Sequence, residues 1–169
     1  MAQRLPMKIY PDPILRQKTR LLTLAEIKSP EIQALLEDMD VTMEAEKGIG
    51  LAAPQIGRSI RLAIVKTDDG ILPLVNPKIL KRSWKKDVSE EGCLSIPQVY
   101  GLVKRPYSIT VQIQDKTGAT VKFQASGLLA RVIQHEVDHL DGVLFIDRTK
   151  NITSGQAVLQ SMENKKNDQ

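Results

Sequence analysis

Gln134-His135-Glu136-Val137-Asp138-His139 holds both histidines of this 169-residue chain. On an α-helix, residues four apart lie one above the other, so the two imidazoles can reach one metal ion. Glu136 directly follows the first of them, where its carboxylate can address a water. The surroundings are helical. Ser126 suits an N-cap, Gly142 suits a C-terminal end, and the pattern predicts a helix from about Gly127 to Leu140. Leu129, Ile133, Val137 and Leu140 form a stripe that can anchor this helix in a core, whereas Leu128 and Val132 precede His135 on its own face and would make an apolar floor. Two ordinary surface histidines are the plainer alternative. Against it, the chain has no other histidine, so two of two fall at ligand spacing.

Catalytic centres of this kind use three protein ligands and keep one position open. No third histidine lies downstream, as an extended metallopeptidase motif would require. The remaining soft ligand is the lone cysteine, in Glu91-Gly92-Cys93-Leu94-Ser95. From the residues alone, Cys93 is a ligand, a buried apolar-like thiol, or a nucleophile with a histidine base. The last reading leaves Glu136 and the second histidine without a role. A third segment, Gly48-Ile49-Gly50-Leu51-Ala52-Ala53-Pro54-Gln55-Ile56-Gly57, is rich in small residues that permit close approach of backbone. It lacks the Lys-Ser/Thr pair of a phosphate loop. The Gln55 amide would suit an oxyanion hole, and a tight structural turn would explain the segment equally well.

Around these segments the chain reads as one α+β domain spanning 1–169. Ser29 and Pro30 open a helix from about Pro30 to Lys47, with Ile32, Leu35, Leu36, Met39 and Met43 on one stripe and Gly48 as its stop. Leu62–Val65 and Ile71–Val75 are short apolar runs separated by Asp68-Asp69-Gly70. Ile109, Val111 and Ile113 alternate with polar residues, and Thr120–Gln124 returns after Lys116-Thr117-Gly118 as a hairpin partner. Residues from about 149 to 169 read as a polar C-terminal tail or surface helix, in which the Asn151-Ile152-Thr153 sequon carries no weight.

Composition bounds the function. Apolar residues make up 41% of the chain, charged residues 26%, and no apolar run approaches the roughly 20 residues that span a bilayer. One cysteine excludes an internal disulfide framework. The start lacks the apolar stretch of a signal peptide, which leads to the expectation of a cytoplasmic protein. Net charge is +4, with the densest basic stretch at Lys81, Arg82, Lys85 and Lys86 around Trp84. With no accompanying motif and few aromatic residues, that stretch reads as a solvated loop rather than a polyanion site.

Taken together, the three segments resemble peptide deformylase of the bacterial type, whose motifs appear here in order as Gly48–Gln55, Glu91–Ser95 and Gln134–His139. Tyr10–Arg16 and Gly142–Phe145 are similar too, so the resemblance covers about residues 7 to 148. It implies antiparallel strands packed around a central metal-binding helix, and removal of the formyl group from the N-terminal formyl-methionine of nascent chains. It implies Cys93, His135 and His139 as ligands of one divalent metal, Fe(II) natively, with Zn(II) or Ni(II) accommodated. Glu136 becomes the acid/base, with Gln55 and the Leu94 N–H as oxyanion donors. Ile49, Leu128, Val132 and the aliphatic part of Arg131, at the rim, would line the methionine pocket. Gly50 and Glu91-Gly92 would pair with the substrate backbone. Arg105 and Asp138 match a structural ion pair beneath the site. The partners implied are the formyl-methionyl nascent polypeptide and transient proximity to the ribosome, with no membrane and no specific nucleic acid. A metallopeptidase acting on internal bonds and a non-catalytic metal or ribosome-binding module are the rivals. The retained Glu136 and Gln55 argue against the second.

Overall fold

A computed structural model describes residues 1–167, with side chains through Lys165; the end of the expected 1–169 domain lies outside the described residues. After a short 3-10 turn at Pro13–Arg16 come helices α1 (Leu24–Ile27) and α2 (Pro30–Ala45), strand β1 (Gly50–Ala52) and a second 3-10 turn at Ala53–Ile56. Strands β2 (Leu62–Thr67), β3 (Gly70–Arg82), β4 (Lys86–Cys93), β5 (Ile96–Pro106), β6 (Ser108–Gln114) and β7 (Thr120–Ser126) follow. The chain closes with α3 (Gly127–Leu140), α4 (Phe145–Arg148), β8 (Asn151–Ser154) and α5 (Gln156–Asn167). The strands form two antiparallel sheets, ordered β1-β2-β3-β6-β7 and β4-β5-β8.

The larger sheet is covered on both faces near β2, which is why Leu62–Val65 reads as a continuous apolar run. Leu62 and Ile64 pack with Ile32, Leu35, Met39 and Met43 of α2, whereas Ala63 and Val65 pack with Ile133, Val137 and Leu140 of α3. Farther along the sheet, Ile109, Val111 and Ile113 join the α3 side. The expected hairpin forms, with Ile113 opposite Val121 and Ile109 opposite Ala125. The other flank of α3 meets the smaller sheet through charged groups rather than apolar ones. The α+β architecture with a central helix against antiparallel strands is therefore as expected.

Some local expectations give way. Gly48 does not supply the left-handed turn at the end of α2; Lys47 does, at φ 57°. The Gly48 N–H then reaches the Met43 carbonyl and the Lys47 N–H that of Glu44, a Schellman pattern that satisfies the last carbonyls. Ser126 makes no side-chain cap on α3. The basic stretch is a loop only in part: Ser83, Trp84 and Lys85 form a bend, whereas Lys81 and Arg82 end β3 and Lys86 begins β4. The segment after Arg148 contributes an edge strand to the smaller sheet, and Leu159 of α5 packs against Ile96, Val99 and Phe145.

α3 ends as its sequence suggests. Gly142 takes φ +73°, and the Val143 N–H returns to the Asp138 carbonyl. A Cβ at this position would also lie 2.5 Å from the Arg16 carbonyl oxygen. Gly142→Ala is expected to lower stability by about 1–3 kcal/mol, read as a shift in denaturant midpoint with unchanged slope.

Candidate metal centre

The three sequence motifs converge although they come from separate parts of the chain. His135 and His139 project from α3, one turn apart, with ring centroids 4.9 Å from each other. Cys93 ends β4, which brings it in from the smaller sheet. Its Sγ lies 3.2 Å from His139 Nε2. The ligand atoms of Cys93, His135 and His139 all fall within 4.8 Å of one another, so they could hold one metal ion.

Neighbouring groups set the orientation of each side chain. His135 Nδ1 is 3.0 Å from Glu91 Oε2, so an Nδ1–H donates there and Nε2 is left for the cluster. Glu91 is itself buried, and it also accepts from Arg105 Nε at 2.6 Å, Arg105 Nη2 at 2.9 Å and Arg131 Nη1 at 2.7 Å. The expected Arg105–Asp138 pair forms at 2.8 Å, and Asp138 also accepts from Arg148. Gln55 is buried and fixed at both ends. Its Oε1 accepts from the Ala52 N–H at 2.8 Å, while its Nε2 points to Ser95 Oγ at 3.2 Å and Cys93 Sγ at 3.6 Å. The amide donor therefore faces the centre.

The electrostatics favour a cation among these donors. Burial opposes charge on His135, yet its hydrogen bonds with Cys93 and Glu91 outweigh that and raise its pKa to about 10. His139 moves the other way, well below its usual 6.5, through burial and then the charges of His135 and Arg105. A thiolate and two imidazoles are also the donor chemistry that suits Zn(II), Fe(II) or Ni(II). Glu136 is buried beside them, and burial pushes its carboxyl up to about 7. Its Oε2 has no hydrogen-bond partner among the described residues. By these observations the site fits a metal and a water.

A cleft of about 530 Å³ opens onto this centre. It is lined by Ile49, Gly50, Gln55, Glu91, Gly92, Leu94, Leu128, Arg131 and Val132, together with Cys93, His135 and Glu136. Every candidate ligand, catalytic and pocket position from the sequence except His139 thus borders one cavity. Two of them also carry polar groups that reach behind the cleft. The Arg131 head group is buried against Glu91 and the Val103 carbonyl. Glu91 turns its side chain away from any substrate and into the ion network behind His135. Sequence reasoning missed that function because partners 14 to 44 residues apart leave no local pattern.

A partly buried Cys-His-His donor set beside a buried glutamate, on an α+β frame with an open cleft, defines a metallohydrolase. The chain belongs to the polypeptide deformylase family, whose sequence model matches residues 5–154. Peptide deformylase of Caldicellulosiruptor bescii is 41% identical over 154 residues, covering 91% of this chain and 90% of the relative. Peptide deformylase from Thermotoga maritima superposes with a TM-score of 0.84 at 36% identity, covering 88% of this chain and 99% of that one. A class I type b peptide deformylase from Acinetobacter baumannii, crystallised with bound Met-Ala-Ser, gives 0.83 at 34% identity, with 88% and 99% covered. The reaction is removal of the formyl group from the N-terminal formyl-methionine of newly synthesised proteins, with release of formate. No helix among the described residues is long and apolar enough to cross a membrane.

Gly50 makes a sharp test of the packing around Glu136. A Cβ there would overlap Glu136 Oε1 and come within 2.9 Å of Glu136 Cδ and Val132 Cγ1. Gly50→Ala is expected to displace the carboxyl and cut formate release on the order of 100-fold, with the fold intact by circular dichroism.

Proposed function

We propose that Cys93, His135 and His139 hold the catalytic metal and that Fe(II) is the native ion, with Zn(II) or Ni(II) able to replace it. The observation that carries this reading is the convergence of all three soft side chains of the chain within 4.8 Å, beside the unpaired Glu136 carboxyl. Bound there, a divalent ion supplies Lewis-acid activation of the attacking water and of the formyl carbonyl. Glu136 accepts the water's proton and later delivers it to the departing amine nitrogen. A carboxyl raised by burial to about 7 is suited to both transfers near neutral pH. The Gln55 Nε2–H and the Leu94 backbone N–H donate to the oxygen that gains charge as the formyl carbon becomes tetrahedral.

Methionine enters the cleft against Ile49, Leu128, Val132 and the aliphatic part of Arg131. Ile49 and Leu128 are 49% and 68% exposed, apolar surface that a thioether side chain would cover. The substrate backbone lies between two free edges. β1 ends the larger sheet and β4 ends the smaller one, so Gly50 on one side and Glu91-Gly92 on the other can pair with an added strand. That the Acinetobacter baumannii relative was crystallised with Met-Ala-Ser bound supports a methionyl peptide as the ligand. Newly made chains are met where they are synthesised, so cytoplasmic location and transient proximity to the ribosome complete the reading.

Elemental analysis of protein purified without oxygen should give near one equivalent of metal. Cys93→Ser should lose most of it, and full occupancy in that variant would remove the ligand assignment. Glu136→Gln should keep the metal and lose formate release from a formyl-methionyl peptide by 100-fold or more, in line with acid–base contributions of about 10²–10⁴. Turnover near that of the parent would exclude the acid/base role.

A further inference from the structure

We propose that the bend between β3 and β4 is a contact site for single-stranded RNA, read without sequence preference. Trp84 stands at its tip, 100% exposed, the only tryptophan in the chain. Lys81, Arg82, Lys85 and Lys86 flank it and are all exposed. None of the four forms an ion pair among the described residues. From Lys78 to Lys86 the chain carries no acidic residue.

The tip is also built rather than slack. The Ser83 hydroxyl donates to the Lys85 carbonyl at 2.7 Å and accepts from the Ser108 N–H at 3.1 Å. The Ser83 N–H bonds the Ser108 carbonyl and the Tyr107 N–H bonds that of Lys85. These bonds clamp both sides of Trp84 to Tyr107 and Ser108 at the junction of β5 and β6, so the indole is presented at little further cost in backbone entropy. Lys85 Nζ lies 4.4 Å from the centroid of the partly exposed Tyr107 ring, which adds a second aromatic face beneath the cations.

An exposed indole normally costs solubility, and nothing in the hydrolytic site uses this one. Cations alone would bind any polyanion. Cations around a planar, unpartnered ring fit a single strand, whose phosphates take the charges while an unpaired base stacks on the ring. A membrane surface is the poorer match, because one indole among four cations offers little apolar area to bury. β4 runs from this tip to Cys93, eight residues or roughly 23 Å of strand. RNA held at the tip therefore leaves the cleft open.

Because Trp84 is the sole tryptophan, its fluorescence reports on the contact directly. Metal-loaded protein is titrated with an oligouridylate of about 20 nucleotides and, separately, with phosphatidylserine vesicles. Quenching by the RNA at low salt is expected. The log–log salt slope of the affinity should be about −3 for four phosphate contacts. With labelled RNA followed by anisotropy, Trp84→Ala should weaken binding roughly tenfold, and K81S/R82S/K85S/K86S should flatten the salt slope towards zero. Absence of quenching by RNA, a response to vesicles alone, or an unchanged slope in the quadruple variant would each overturn the proposal. Formate release from a short formyl-methionyl peptide should be unchanged in both variants, which keeps this test separate from that of the catalytic assignment.

Discussion

The centre depends on one buried carboxylate. Glu91, on β4, accepts four hydrogen bonds from three side chains on two other elements: Arg105 of β5, and Arg131 and His135 of α3. Burial alone would push its pKa up. The surrounding donors outweigh that and hold it well below the usual carboxylate range. A buried ion cluster of this type adds little net stability over an apolar equivalent, but loss of one partner leaves an uncompensated charge and costs several kcal/mol. What it contributes is definition. It joins the strand that ends in Cys93 to the helix that carries both histidines, and it fixes the tautomer and ring orientation of His135.

This explains why α3 has two unlike flanks. Ile133, Val137 and Leu140 make an apolar seam with the larger sheet, and apolar packing tolerates small sliding. On the other flank, Arg105 reaches both Glu91 and Asp138, and Arg148 closes on Asp138 from α4. Directional, charge-assisted bonds set rotation and translation of the helix where apolar packing would not. The donors of a metal site must be placed to within a few tenths of an ångström, so the directional flank faces that site.

Much of this was legible in the sequence wherever the signal was local. The α3 span, the α2 stripe and the β6–β7 hairpin follow from periodicity, and the ligand spacing follows from helix geometry. Gly48 marks the stop of α2, but the left-handed residue there is Lys47, a conformation uncommon for lysine and without a local signal in the sequence. β4 was hidden. Its exposed Lys86, Asp87, Val88, Ser89 and Glu90 form an edge strand with no apolar alternation. β5 does carry a period of two, in Val99, Gly101, Val103 and Arg105, all buried. An arginine in that register, where an apolar residue belongs, was the available sign of a buried charge partner.

The same reasoning bears on how the site can vary. With one cysteine and two histidines in the whole chain, no spare soft ligand exists to take over a lost position. Oxidation of Cys93 would remove a third of the donor set at once. The positions around the donors are constrained by shape rather than by chemistry. Gly50 is needed because Glu136 approaches the β1 backbone too closely for a side chain, and Gly92 because the Tyr100 ring lies across it, with ring carbons 2.7 and 2.8 Å from where a Cβ would stand. Ile49 and Leu128 face the open cleft and are free of both constraints, so with the proposed methionine pocket substrate preference can drift at these two positions without disturbing the Glu91 network or the Cys93, His135 and His139 cluster.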